Sequence, residues 1–538
     1  MRKEAVKAGF INVDKEKRVS VVSSGEVKTE LRRDVTVWGS FMWGYADVGA
    51  NIYVALGLVL AAAQGAGSLA FALAGIVYIM IGLAYTELTS AYPIAGGGPY
   101  FTLRGLGDFW GIVSGSALLL AYTIDIALFA VASAGYINFF FPEIRKFLVS
   151  FGPLQNINLI WCAESLIIIG FLIWLNIKGI RESTLFNNII GIIDILSECT
   201  IVICGFVLAW KPELFIDQLI NQFPSPHNFF HGASLAIISF IGLESISQVA
   251  QETKRPATII PRTSLVLIFT VFIFAVSFST LALGLVRWQE VAVRESDPVA
   301  LLASTIPYIG TITGPFVAIL GATILLISAN TGIMGASRLV YSLSQLGLVS
   351  TWFDKVHQKY RTPVRTIVIF SVLGAIFTIL AFLTPRVMDT LGNMYAFGAT
   401  TGYVLVLISL IKLRISDPYT PRPFKVPLNI PLRLKNKKIE IPILGIIGVF
   451  GVISVLFMVI FTHRIGRIAG PIWILLCFIY YVFYRKSQGY PVFKSIKRDW
   501  EKEQMEVLTS AEEFDLLEQY KIALEERDKI KAKKNDKK

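Results

Sequence analysis

An all-α integral membrane protein with twelve transmembrane helices is what this sequence predicts, and three observations carry the expectation. Of 538 residues, 54% are hydrophobic and only 16% charged, against roughly a quarter charged in a soluble domain. Apolar runs near the ~20 residues that a helix needs to cross ~30 Å of hydrocarbon recur twelve times along the chain. Placing the N-terminus inside puts 41 of the 50 Lys and Arg residues in tails and loops on one side and 8 on the other, as the positive-inside rule requires. A soluble, disordered or collagen-like chain is thereby excluded, because so much apolar surface has no place in water.

The elements follow in order. Residues 1–37 are polar and too long and charged for a removable signal peptide, so they read as a cytoplasmic tail. The apolar runs lie at 38–63, 67–90, 107–140, 157–177, 183–209, 230–250, 264–286, 313–345, 364–384, 388–411, 441–461 and 468–484. Helices 1 to 10 thus form a core over 38–411. A basic cytoplasmic loop at 412–440, with Arg433, Lys435, Lys437 and Lys438, separates it from helices 11 and 12 at 441–484. The remaining 485–538 is a second cytoplasmic tail. In it Ser510-Ala511-Glu512-Glu513 reads as a capping box opening a helix that carries Phe514, Leu517, Tyr520 and Leu524 at helical spacing. The net charge of +12 sits mostly in these tails and the 412–440 loop, so it reflects topology and contact with membrane lipid, with no nucleic-acid partner.

Other chemistries find little support. The cysteines Cys162, Cys199, Cys204 and Cys477 fall inside apolar runs and suggest packing instead of disulfides. The histidines His227, His231, His357 and His463 are scattered without ligand spacing, so no metal site is expected. No phosphate-binding loop of the G-x-x-x-x-G-K-[ST] form occurs. Neither an enzyme nor a cofactor-dependent protein is indicated.

Two runs carry the same kind of interruption. The first holds Gly44-Tyr45-Ala46-Asp47-Val48-Gly49-Ala50-Asn51 and the sixth Phe240-Ile241-Gly242-Leu243-Glu244-Ser245. In each, glycine and small polar residues stand beside a carboxylate in mid-membrane, where unwound backbone is tolerated only if it lines a cavity or contacts ligand. The two runs are corresponding members of two five-helix halves, the pattern of an inverted-repeat transporter with its site at the bilayer midplane.

Flanking motifs make the reading more specific. The second run ends Tyr85-Thr86-Glu87-Leu88 and is followed by Tyr92-Pro93-Ile94-Ala95-Gly96-Gly97-Gly98-Pro99-Tyr100. The sixth run is followed by Glu252, Pro256, Ile260, Pro261 and Arg262. Asn330, Ser337-Arg338-Leu339, Thr362-Pro363-Val364 and Arg422-Pro423-Phe424-Lys425-Val426-Pro427 come after in order. Together these landmarks, over about residues 38–430, resemble the amino acid, polyamine and organocation (APC) superfamily. The resemblance implies a LeuT-type fold of 5+5 inverted repeats with discontinuous helices 1 and 6, alternating access and no covalent chemistry. It also implies a substrate lying against the backbone of Gly49, Ala50, Asn51, Phe240, Ile241 and Gly242. Half-helix ends and unwound carbonyls at such breaks suit an amino acid's carboxylate and ammonium. Glu244 then either lines the site or holds the broken backbone by hydrogen bonds.

Departures from the pattern are informative. Where many members carry Gly-X-Gly, this chain has Gly49-Ala50-Asn51, and Asp47 in the break is suited to an ammonium group or a metal cation. In the fifth run Asp194 stands where many proton-coupled members have lysine. Asp194 and Glu198 are four apart and share a helix face, and two carboxylates in low dielectric do not both ionise cheaply. With Ser328 and Thr331 of the eighth run they form the expected proton- or sodium-coupling site. Asp125, in the middle of the third run, is expected to line the cavity opposite the breaks. Glu164 reads as a scaffold contact, and Glu87 as an inner brace with Arg104 or Arg338 as partner. The function expected is secondary active transport of amino acids or related amines across a cell membrane, by ion-coupled symport or exchange, with both termini cytoplasmic. The alternative is a potassium or other inorganic-cation symporter on the same fold.

Overall fold

The computed structural model describes residues 36–94, 96–151, 154–179, 183–248, 250, 253–357, 360, 362–434 and 437–535. Most of the N-terminal tail, Ala95, Glu252 and Lys435 lie outside them. Among the described residues, eleven helical stretches are long and apolar enough to cross a membrane. The longest, Val37–Ala91, runs 55 residues and contains the first two apolar runs of the sequence.

That stretch comprises α1 (Val37–Val48), α2 (Ile52–Ala63) and α3 (Gly67–Ala91), joined by 3-10 turns at Gly49–Asn51 and Gln64–Ala66. Thr36 opens α1 by accepting a hydrogen bond from the Gly39 N–H, the expected N-cap chemistry. Next come α4 (Gly97–Leu106), α5 (Asp108–Ile137), α6 (Leu159–Lys178) and α7 (Ser183–Leu208). Gly96, at φ +109°, turns the chain into α4 through a conformation that side chains disfavour. The later half continues with α8 (Pro226–Ala236), α9 (Pro256–Leu285), α10 (Gly310–Gln345), α11 (Val364–Phe382) and α12 (Val387–Ser416). The chain ends with α13 (Ile443–Thr462), α14 (Arg464–Ser487), α15 (Trp500–Ser510) and α16 (Phe514–Asn535). Two short antiparallel hairpins interrupt the helices, one pairing Val149–Phe151 with Leu154–Ile157. The other pairs Asn429–Leu434 with Lys437–Pro442, so part of the basic 412–440 loop is a hairpin.

α5 is buried along its apolar length, and α10 and α12 pack on it. In contrast α6, α13 and α14 expose large apolar side chains such as Ile167, Phe450 and Phe483. Apolar groups facing outward are what a lipid solvent selects.

Ion pairs brace one end of the bundle. The Glu87 carboxylate, fully buried, pairs with Arg414, lies 3.4 Å from Arg422 and accepts the Val426 N–H at 2.7 Å. This corrects the partners expected from sequence. Arg104 instead bonds Asp417 at 2.8 Å and Gln504 at 3.0 Å, and Arg338 lies over the Trp43 ring at 4.8 Å. Glu164 accepts from Asn138 at 2.9 Å. The C-terminal helix also differs from expectation. Ser510 closes α15, donating to the Val507 carbonyl at 2.9 Å, and α16 begins only at Phe514. The Glu513 carboxylate faces the N–H groups of Ala257 and Thr258 at the start of α9 and lies 3.9 Å from Arg255. A helix N-terminus elsewhere in the fold offers more unsatisfied donors than the local box.

Candidate transport site

The two interruptions differ in kind. From Val48 (φ −84°, ψ −39°) through Gly49 (−61°, −41°) to Asn51 (−67°, −27°) the backbone stays right-handed helical. The expected unwinding in the first run is therefore a single tightened 3-10 turn. The sixth run breaks outright: α8 passes into a 3-10 turn at Ile237–Phe240, Ile241 is extended (ψ 145°), and Gly242 is left-handed at φ +115°. Helix resumes for Ser245–Gln248. Asn51 ties the two elements together, its side-chain amide donating to the carbonyls of Ile238 at 2.9 Å and Ile241 at 2.7 Å.

Asp47 meets this break. A Cβ on Gly242 would lie 2.9 Å from the Asp47 carboxyl, so only glycine admits the approach. Asp47 Oδ1 accepts from the Thr331 hydroxyl at 2.8 Å, and its backbone carbonyl lies 3.4 Å from Ser328 Oγ. Glu244 braces the break, accepting the Gly242 N–H at 3.1 Å and the Tyr403 hydroxyl at 2.6 Å. Phe240 stacks on Tyr78 with ring centroids 4.8 Å apart. Asp125 projects from α5 against Gly332, where a Cβ would stand 2.6 Å from its Oδ2. It interacts electrostatically with both Asp47 and Glu244, with Tyr395 beside it. Asp47, Asp125, Glu244 and the two breaks thus surround one buried place.

Several acceptors there are unmatched. Among the described residues, both Asp125 oxygens, Glu244 Oε1 and Asn51 Oδ1 are buried with no group in hydrogen-bonding geometry. Among the described residues no lysine, arginine or histidine forms an ion pair with Asp47, Asp125 or Glu244. Buried acceptors left unpaired are costly, so the arrangement suits a ligand rich in N–H donors.

The second acidic group lies apart from Ser328 and Thr331. Tyr45 Oη is 3.1 Å from Asp194 Oδ2 and 2.7 Å from Glu198 Oε2, and Tyr53 donates to Asp194 Oδ1 at 2.6 Å. The Ser328 and Thr331 hydroxyls face Asp47 instead. Tyr45 also lays its ring over Gly49, where a Cβ would be 2.7 Å from Cζ. The expected Gly49 surface is therefore covered by a side chain, while Ala50 lies fully buried beside it. Sequence reasoning missed Tyr45, Tyr53 and Tyr403 as partners of the carboxylates. The spacing of eight between Tyr45 and Tyr53, about two helical turns, was a signal that both share a face.

The sequence profile of a family described as amino acid permease matches residues 36–484. This chain belongs to that family. The permease is 25% identical over 482 residues to the branched-chain amino acid permease BcaP of Bacillus subtilis, covering 87% of this chain and 96% of that protein. It is 25% identical over 416 residues to mouse cationic amino acid transporter 4, covering 75% of this chain and 63% of the transporter. A methylthioribose transporter of B. subtilis is 24% identical over 428 residues, 77% of this chain and 88% of its own. The permease is a multi-pass membrane protein that transports amino acids and is not an enzyme.

Proposed function

We propose that the permease is a secondary active transporter of amino acids bearing a second ammonium group, working by alternating access. The observation that carries this is the cluster of Asp47, Asp125 and Glu244, with unmatched acceptors and no basic partner among the described residues. A zwitterion brings no net charge to such a site, whereas a dibasic amino acid supplies donors for Asp125 as well as for Asp47. The relatives named as cationic amino acid transporters agree with this reading. The fold is then LeuT-type, with 5+5 inverted repeats and twelve crossings, two of them within Val37–Ala91. The 3-10 turn at Gly49–Asn51 and the break at Ile241–Glu244 are its discontinuities, and the protein lies in the cell membrane with both termini cytoplasmic.

Proton bookkeeping supports Asp194 and Glu198 as the coupling site. Three oxygen–oxygen contacts join the pair to Tyr45 and Tyr53, but two phenols supply only two protons. A third proton on Glu198 completes the set, and its release during the cycle would couple proton flow to substrate. Ser328 and Thr331, on Asp47, are placed to hold a sodium ion in that carboxylate's shell. The same unmatched carboxylates also fit an inorganic cation, which is the second reading.

The test is uptake into proteoliposomes of radiolabelled lysine, leucine and rubidium in parallel. Lysine flux that drops at least tenfold in Asp125→Asn is expected, as loss of a charged hydrogen-bonded pair costs about 1.5–3 kcal/mol. Leucine flux indifferent to Asp125→Asn, with no lysine flux, defeats the dibasic reading, and rubidium flux alone transfers it to cations.

A further inference from the structure

A second titratable cluster lies at the end of the bundle away from Glu87. Asp389, in the first turn of α12, has both oxygens engaged. Oδ1 receives His231 Nε2 at 3.0 Å and Asn393 Nδ2 at 3.2 Å, and Oδ2 receives His463 Nε2 at 3.0 Å. His231 belongs to α8 and His463 caps α14, so three helices meet on one carboxylate. The two rings stack with centroids 5.8 Å apart.

The surrounding bonds assign the protons. A carboxylate accepts only, so both Nε2 atoms carry hydrogen. His463 Nδ1 accepts the Gly466 N–H at 3.4 Å, so that ring is neutral. His231 Nδ1 is 3.3 Å from Thr462 Oγ1, whose own proton goes to the Met458 carbonyl at 2.7 Å. With that proton committed, Nδ1 is free to donate, and His231 is the ring that accommodates a second proton.

The cluster sits where α8 bears on the break. α8 leads directly into the break at Ile241, and α2 lies against it. The segment between the short helices Trp288–Val293 and Pro298–Thr305 closes over α2, with the Glu295 backbone 2.7 Å from where a Cβ on Gly57 would stand. The titratable groups in contact with His231 are Asp389 at the start of α12 and His463 from α14; His227 lies one turn earlier on α8, and Glu295 of this segment acts on Asp389. α2 and the adjoining half of α3 bring no charged side chain. Burial, with Asp389 opposing its ionisation and Arg386 favouring it, pushes the Glu295 carboxyl up to about 7.

We propose that His231 is a proton-binding site that latches α8 to α12 and α14, so that protonation from this face holds the path to the Asp47 cavity shut. In acid, an imidazolium faces Asp389 while Glu295 is neutral, and the contact is attractive. In alkali, the imidazole is neutral and Glu295 becomes a second carboxylate beside Asp389, and the contact loosens.

The proposal rests on the transport reading only for one of its two readouts. The first is equilibrium exchange of labelled lysine in proteoliposomes at equal pH on both sides. Wild-type exchange should rise roughly fivefold between about pH 6 and about pH 8, as a charged hydrogen bond gives way to a neutral one. His231→Gln should be fast and lose most of that rise, and His463→Gln should keep the wild-type slope. The second readout needs no substrate: acid should raise the Tm of the purified wild type relative to alkali, and His231→Gln should lose that difference. A His231→Gln profile that parallels wild type in both readouts overturns the latch, as does loss of the slope in His463→Gln alone. A His231-dependent Tm with no lysine exchange sustains the proton site and refutes the dibasic-substrate reading instead.

Discussion

At the residue scale, the carboxylates were legible and their partners were not. Asp47, Asp125, Asp194 and Glu244 stand out in any apolar run because an intramembrane acid must serve a function or be satisfied. Gly242 was legible as a break, and the structure supplies the reason it must be glycine: positive φ and Asp47 at 2.9 Å from a Cβ position. Gly242→Val should therefore abolish substrate binding in a direct binding assay while the protein still reaches the membrane, and normal affinity would defeat the site assignment. Asp194→Asn tests the coupling pair differently. It removes an acceptor that Tyr45 and Tyr53 share, so transport should persist downhill and lose its acceleration by an imposed pH gradient. Unchanged pH and sodium dependence would disprove coupling there.

At the element scale, the end of the bundle that carries Glu87 is held by charges that cross between helices. The Glu87→Gln variant leaves Arg414 buried beside a neutral partner, and breaking a buried pair in this way costs about 3–5 kcal/mol. Its thermal transition should fall clearly below wild type, and an unchanged Tm would show that the pair contributes little. The C-terminal helices add a strap: Gln504 bonds the Ala91 carbonyl at 2.9 Å and Tyr100 donates to Glu503 at 3.1 Å. Asp108 receives Arg485 at 3.0 Å and Arg498 at 2.6 Å. Against the burial that opposes its charge, Arg104 holds the Asp417 carboxyl below the usual carboxylate range. A depressed carboxylate stabilises above its unfolded pKa of about 3.9. This brace should thus be intact at neutral pH and fail only as pH falls through the lower folded value. Arg104→Gln should narrow that acid resistance in pH-dependent melts. None of these pairs was readable from sequence, since each joins elements hundreds of residues apart.

At the scale of the whole molecule, the permease has a core of helices buried around α5 and a periphery whose apolar groups face outward. The strap formed by α15 and α16 follows the last membrane-crossing helix, so a chain ending before residue 505 should retain measurable flux in proteoliposomes, and complete loss would make the tail part of the transport machinery. Composition and periodicity determined the membrane class, the order of the spans and the location of the interrupted runs, because the demands of a lipid solvent act locally, on every stretch of about 20 residues. Contacts between helices depend on helical phase and on the packing of side chains far apart in the chain, and no local pattern encodes them. Only the tertiary structure therefore decided that the first interruption is a tightened turn while the sixth is a true break. It alone joined Tyr45 to an aspartate 149 residues away and His231 to one 158 residues away.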